Sequence, residues 1–327
     1  MKIGIIGAGT WGTAIANMLA ANGYKVSVYS PIQSEVDNLN NNRKHKHLDC
    51  EIHKSIVFTT SIEEVIEDSF VVVFATPSIA MRGAAELAKP FLKKEQIVVT
   101  VAKGIEPDTL YTMSEILKDV IGKEFKIVAL SGPTHAEEVA IGLPTLIVAS
   151  CEDEAIAKVV QQIFSNNVLR VYTNTDVYGV ELAGALKNII ALAAGMSDGM
   201  GFGDNAKAAI ITRGLAEITK LGLKLGCDER TFYGLTGIGD IVVTATSRHS
   251  RNHNAGVLLG QGKSLDETLK EVGMVVEGVN ALIAAKQLSN KIGLKMPIVD
   301  AVYSVVYEGV DPKEAVVELF NRRLISE

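Results

Sequence analysis

The chain has 327 residues, enough for two domains of ordinary size, each with a core of its own. Hydrophobic residues make up 47% and charged residues 21%, which excludes a largely disordered chain. The formal charge of −6 excludes general affinity for nucleic acid, although one local cationic pocket can still take a phosphate.

Lys2–Ile6 predicts a strand, Trp11–Asn22 a helix and Lys25–Tyr29 a second strand. Phe70–Ala75, Ile97–Val101, Lys126–Leu130 and Thr145–Ala149 are further apolar runs of strand length. Such runs, separated by helical stretches, predict a parallel sheet covered on both faces. That is an α/β domain of the Rossmann-type, doubly wound kind. Beyond about Asp176 helices take over, at Val177–Ser197, Asn205–Leu225, Ser264–Glu271, Gly278–Leu288, Pro297–Glu308 and Asp311–Asn321. The expected division is residues 1–175 for the sheet domain and 176–327 for an all-helical domain. Gly199, Gly201 and Gly203 predict a flexible break between two of these helices. No apolar run of 18 residues stands out, so no membrane span is expected. Cys50, Cys151 and Cys227 are far apart, and the opening MKIGIIGAGTWG is too glycine-rich for a secretory signal. Both point to a reducing, cytoplasmic setting.

Glycine is overused, with 29 residues against 8 prolines, and its placement carries chemistry. Gly7-Ala8-Gly9-Thr10-Trp11-Gly12 is GxGxxG between a strand and a helix. Gly7 permits the tight turn, Gly9 lets backbone approach a pyrophosphate, and Gly12 permits close helix–strand packing. The helix amino terminus then offers N–H groups and a positive dipole end to phosphates. A dinucleotide site is expected, though the same pattern occurs in ordinary turns. At the end of the second strand an acid suits a ribose 2′-hydroxyl and an arginine a 2′-phosphate. Tyr29-Ser30-Pro31 is neither, so NAD and NADP both stay open. Arg43 and Lys44, further on, could reach a phosphate, although solvated loop charges are the more ordinary reading of that pair.

Leu182–Met196 is apolar except for Lys187 and Asn188. Most helical lysines are solvated, but a helix apolar all round is normally buried. A buried ammonium needs partners or its pKa falls, and such a lysine can move protons near neutral pH. Lys103 directly follows a strand, where the ligand crevice of a doubly wound sheet lies, or is an ordinary strand-end charge. Ser131-Gly132-Pro133-Thr134 follows the next strand and suits an anion or a simple helix cap. Asp240 is the sole ionisable residue in Leu235–Thr246, which makes it a candidate partner for Lys187 or a turn acid. Ser247–Asn252 places Arg251 before a short helix, an arrangement suited to a phosphate. His249 and His253, and likewise His45, His47 and His53, lack the context of a metal site and read as surface histidines. No metal is expected.

Several segments together resemble the bacterial NAD(P)-dependent glycerol-3-phosphate dehydrogenase family. They are Gly7–Ala16, Val101–Pro107, Ser131–Thr145, Glu181–Gly199, Gly234–Asn252, Met274–Val279 and Met296–Tyr303. The resemblance spans nearly the whole chain. It implies hydride transfer between NAD(P)H and C2 of dihydroxyacetone phosphate, giving sn-glycerol 3-phosphate for glycerophospholipid synthesis. By resemblance Lys187 is the general acid/base, with Asp240 and Lys103 beside it in catalysis. Lys103, Gly132, Thr134, Lys187, Asn188, Asp240, Ser250, Arg251 and Asn252 are the implied substrate residues. Thr10, Trp11, Lys103, Ala136, Arg251, Val275 and Glu277 join the three glycines as implied cofactor contacts. A homodimer is compatible with the resemblance. The chain departs from the pattern at Ser30-Pro31, where members often carry arginine, and in the loop Asn41–His53, which lacks a YLPG-like segment. Two other readings remain. One is a dehydrogenase of small hydroxy acids, because an arginine does not distinguish phosphate from carboxylate. The other is a silent NAD(P)-binding protein, which would have no need of Lys187 and Asp240 in apolar stretches.

Overall fold

A computed structural model describes residues 1–323. In chain order its first part runs β1 (Lys2–Ile6), α1 (Thr10–Ala21), β2 (Lys25–Tyr29), α2 (Gln33–Asn42), β3 (Val57–Thr59), α3 (Ile62–Ile66), β4 (Ser69–Phe74) and α4 (Met81–Ala88). It continues with β5 (Ile97–Thr100), α5 (Met113–Ile121), β6 (Lys126–Ser131), α6 (Ala136–Ala140), β7 (Thr145–Ser150), α7 (Glu154–Phe164) and β8 (Leu169–Asn174). The strands form one sheet in the order β3-β2-β1-β4-β5-β6-β7-β8. Alternation along β4 shows why it must be covered twice. Val71 and Val73 enter one core with Ile15 and Leu19 of α1 and Val160 of α7. Val72 and Phe74 enter a second core with Met81 and Ala85 of α4 and Leu117 of α5.

The sheet is parallel from β3 through β6, but β7 runs antiparallel to β6, and β8 follows β7 in parallel. The expectation of a fully parallel sheet is corrected there. The link from β6 to β7 holds only the five-residue α6. Such a helix advances about 7.5 Å, while a typical strand spans about 17–20 Å. That is too short to cover the sheet as the helix of a parallel crossover usually does, and the chain turns back so that β7 pairs antiparallel with the end of β6. Neither β3 nor β8 was legible as a continuous apolar run. β3 has three residues, and β8 alternates buried Leu169 and Val171 with exposed Arg170 and Tyr172.

The second part runs α8 (Val177–Gly199), α9 (Asp204–Lys224), α10 (Glu229–Phe232), a π-helical turn (Leu235–Gly239), α11 (Asp240–Thr246) and α12 (Arg251–Gly260). It ends with α13 (Leu265–Val272), α14 (Glu277–Lys291), α15 (Pro297–Tyr307) and α16 (Pro312–Phe320). By contacts, Met1–Lys103 with Tyr111–Glu181 form one unit, and Gly104–Leu110 with the chain from Leu182 form another. Helix α8 is long and apolar enough to cross a bilayer, contrary to the sequence expectation, but 89% of its apolar stretch is buried inside the protein. That burial marks a core helix.

Two glycine pairs bring α8 and α12 into backbone contact. A Cβ on Gly195 or Gly199 would collide with the carbonyls of His253 or Val257, and one on Gly256 or Gly260 with those of Leu192 or Met196. Gly199 is thus a packing position inside α8 and not part of a flexible break. Gly201, with φ +80°, makes the turn that follows. At the start of α15, Glu217 of α9 accepts hydrogen bonds from the N–H groups of Ile298 (2.9 Å) and Val299 (3.5 Å). Burial pushes its carboxyl up to about 7.

On an exposed helix Gly→Ala stabilises by about 1 kcal/mol. Gly256→Ala should instead destabilise, by about 1–3 kcal/mol from overpacking, read from urea unfolding. A gain in stability would mean that the two backbones do not touch. Glu217 binds its proton more tightly folded than unfolded. Its contribution is therefore complete below about pH 4.5 and is lost as pH rises through about 7. Comparing wild type with Glu217→Gln at about pH 5 and about pH 8 should show this as a relative loss on the order of 3 kcal/mol. An equal difference at both pH values would remove Glu217 as the cause.

Candidate active site

The glycine turn is shaped as its spacing requires. Gly7 has φ +118°, and a Cβ there would lie 2.6 Å from the Ala75 carbonyl. A Cβ on Gly12 would collide with the Gly7 carbonyl. Gly9 differs, because it is exposed and a Cβ there would meet nothing within 4 Å. Space opens where backbone is bare, at the amino terminus of α1, whose first turn carries no acid to oppose an anion. A dinucleotide pyrophosphate fits that cradle, with Thr10 and Trp11 in the same first turn.

Within the same unit, Lys103 follows β5 and reaches across to the end of β6. Its Nζ donates to the Gly132 carbonyl (2.8 Å) and to Thr134 Oγ1 (3.4 Å), which also donates to Gly132 O (3.0 Å). Gly132 has φ +135° and lies against the backbone of Ile147, so a side chain there would be strained. Ala136 opens α6 just beyond. One lysine thus ties the ends of neighbouring strands together.

In the helical unit, Lys187 is 7% exposed, Asp240 1% and Thr244 3%. Lys187 Nζ donates to Asp240 Oδ1 (2.8 Å) and to Thr244 Oγ1 (2.6 Å). Thr244 Oγ1 donates to Asp240 Oδ1 (3.2 Å), closing a triangle. Asp240 begins α11 directly after the π-helical turn, a wide turn often found at functional sites. Sequence reasoning missed Thr244, although its position four residues after Asp240 on a helix puts both on one face.

Ser250 caps α12 by accepting from His253 N (3.1 Å). Asn252 bridges two other helices. It donates to Asn188 Oδ1 on α8 (2.8 Å) and accepts from Gly278 N on α14 (2.8 Å). Arg251, between them, is exposed and donates one N–H to the Val275 carbonyl (3.3 Å). Glu277 opens α14 two residues later. The arginine fork therefore lies at a helix amino terminus, braced by Val275.

Three expectations need correction. His253 is no surface histidine: its Nε2 pairs with Asp198 Oδ2 (2.8 Å), which also accepts from Lys207 (2.9 Å). His45 is buried, and burial lowers its pKa. Arg43 is not simply solvated, since it donates to the Ile56 carbonyl (2.7 Å). No cluster of three metal-ligating side chains occurs among the described residues. A buried acid also escaped sequence reasoning. Glu181 accepts from Thr112 Oγ1 (2.8 Å) and Ser114 N (2.8 Å) and so anchors the first turns of α8 to the start of α5. Burial raises its pKa.

Two family models match the chain. One, described as the NAD-dependent glycerol-3-phosphate dehydrogenase N-terminus, covers residues 2–157, and the C-terminus model covers residues 176–317. A Lactobacillus delbrueckii subsp. bulgaricus protein named as an NAD(P)+ glycerol-3-phosphate dehydrogenase is 53% identical, over 100% of this chain and 98% of its own. A Listeria monocytogenes protein with the same activity in its name is 48% identical, over 98% and 96%. The crystal structure of a glycerol-3-phosphate dehydrogenase from Coxiella burnetii superposes with a TM-score of 0.93 at 33% identity, covering 98% of this chain and 99% of that one.

Removing one partner from a buried ion pair leaves an uncompensated charge. Asp240→Ala should cost about 3–5 kcal/mol in urea unfolding, and the double replacement Lys187→Met with Asp240→Leu distinctly less. Equal costs would show that the pair is not what stabilises this site.

Proposed function

We infer the function of this chain from a plain premise: it belongs to the NAD-dependent glycerol-3-phosphate dehydrogenase family. It is an NAD(P)-dependent oxidoreductase that interconverts dihydroxyacetone phosphate and sn-glycerol 3-phosphate. The observation that carries the catalytic assignment is the buried Lys187 ammonium, held by Asp240 and Thr244 from a largely apolar stretch of α8.

When bound at the glycine turn, a nicotinamide dinucleotide would supply or take up the hydride exchanged at C2. Lys187 Nζ donates a proton to the C2 oxygen as the carbonyl is reduced. In the reverse direction neutral Lys187 takes the hydroxyl proton. Asp240 and Thr244 fix the direction of Nζ, and Asp240 compensates its charge where water is absent. Arg251 grips the substrate phosphate as a fork, helped by the N–H groups opening α12. Ser250 and Asn252 hold that end of the helix in place, and Asn188 braces Asn252. Phosphate binding remote from C2 contributes alignment at the reacting carbon. Lys103, with Gly132 and Thr134, adds a third cation on the substrate side. Gly7, Gly9, Thr10, Trp11, Gly12 and Ala136 hold the dinucleotide, with Lys103, Arg251, Val275 and Glu277 as further contacts.

The division into a dinucleotide-binding domain at 1–175 and a catalytic domain at 176–327 is part of this reading. So are supply of glycerol phosphate to phospholipid synthesis and a cytoplasmic location, which three cysteines outside any disulfide support. A homodimer completes it.

Turnover of dihydroxyacetone phosphate should far exceed that of 2- and 3-keto acids. Lys187→Ala should lower kcat by at least ~10²-fold with dinucleotide binding largely kept, the usual scale for a lost general acid. Activity confined to keto acids would sink the substrate assignment. Near-normal kcat in the variant would remove the lysine from the chemistry.

A further inference from the structure

We propose that Glu35 makes this chain select NADH over NADPH. The inference rests on the dinucleotide reading of the glycine turn and adds to it the choice between the two cofactors. Gly7 N donates to the Tyr29 carbonyl (3.0 Å), so the carboxyl end of β2 abuts that turn. The next residue, Ser30, is 1% exposed. Its Oγ donates to the Glu35 carboxylate and accepts from Ile32 N (3.2 Å). A buried serine at the tip of β2 therefore clamps an acid there, although no acid stands at the tip in sequence. The position is where a dinucleotide fold reads the adenosine ribose. A carboxylate accepts hydrogen bonds from ribose hydroxyls. It repels a 2′-phosphate, which carries a charge of about −1.5 to −2 near neutral pH.

Arg43, His45 and Ile32 do not offset that repulsion. The amino terminus of α2 would attract phosphate through its dipole, but Glu35 lies in its first turn and opposes the attraction. Arg43, at the other end of α2, donates to the Ile56 carbonyl. His45 interacts with the charge of Glu35, and burial holds its imidazole below its ordinary pKa, neutral at pH 7. The position after Pro31 is Ile32, an exposed aliphatic side chain with no charge to give a phosphate.

Trp11 is the only tryptophan and sits in the first turn of α1, so its emission reports dinucleotide binding without turnover. NADH and NADPH are titrated into the whole chain as wild type, Glu35→Gln and Glu35→Asp, with calorimetry as a second measure and thermal melting to check folding. Wild type should bind NADH at least about tenfold more tightly than NADPH. Glu35→Gln should erase most of that ratio by tightening NADPH binding, and Glu35→Asp should keep a preference for NADH. Added salt should narrow the wild-type ratio and leave that of Glu35→Gln nearly unchanged. Equal wild-type affinities, or a ratio unmoved by Glu35→Gln, would overturn the assignment of Glu35. Failure of wild type to bind either dinucleotide would overturn the cofactor reading beneath it.

Discussion

The helical unit depends on one steric constraint, the absence of four Cβ atoms where α8 meets α12. Gly195 and Gly199 on one helix, and Gly256 and Gly260 on the other, let carbonyls sit where side chains would otherwise stand. Small residues at spacing four make one flat strip per helix. The close approach fixes where α12 begins relative to α8, and so where Ser250, Arg251 and Asn252 stand. The bond from Asn252 to Asn188 is short because the backbones already touch. The arginine-bearing start of α12 is thereby held beside a helix that carries an ammonium.

Burying that ammonium works against stability unless it is compensated. Taking Lys187 and Asp240 from water costs several kcal/mol per ion, and their attraction roughly repays it. The pair is therefore weak as a stabiliser and strong as a positioning device. Thr244 accepts from the lysine and donates to the aspartate, leaving Nζ little freedom. From Leu182 to Met196 α8 is apolar apart from Lys187 and Asn188, and Asn188 is bonded to Asn252. That is the environment a proton-transfer group requires.

In the sheet unit the same economy of side chains serves a different end. Bare backbone at Gly9 leaves room for a ligand, while Gly7 and Gly12 let strand, turn and helix close on one another. Charged side chains at the strand ends bond mainly to backbone or hydroxyl groups: Lys103 to Gly132 and Thr134, Glu35 to Ser30. Each charge is held in place by a neighbouring strand or turn, which sets the sign of the potential around the cradle before any ligand arrives.

The sequence by itself determined the elements whose signal is local. Short β-rich runs specified β1 and β2, continuous apolar runs specified β4 to β7, glycine spacing specified the dinucleotide turn, and a lone lysine in an apolar stretch marked Lys187. Local pattern also limited what was legible. β8 alternates and β3 is short, so neither registered, and no apolar run marks the reversal of β7. Only the tertiary structure decided which groups meet. Lys187 finds Asp240 across 53 residues, Asn252 finds Asn188 across 64, and Ser30 turns toward Glu35 through a loop whose course no periodicity encodes. Residue type sets what a side chain can do. Packing of distant segments sets what it does it to, because a hydrogen bond needs its partner within about 3 Å, whatever their separation in the chain.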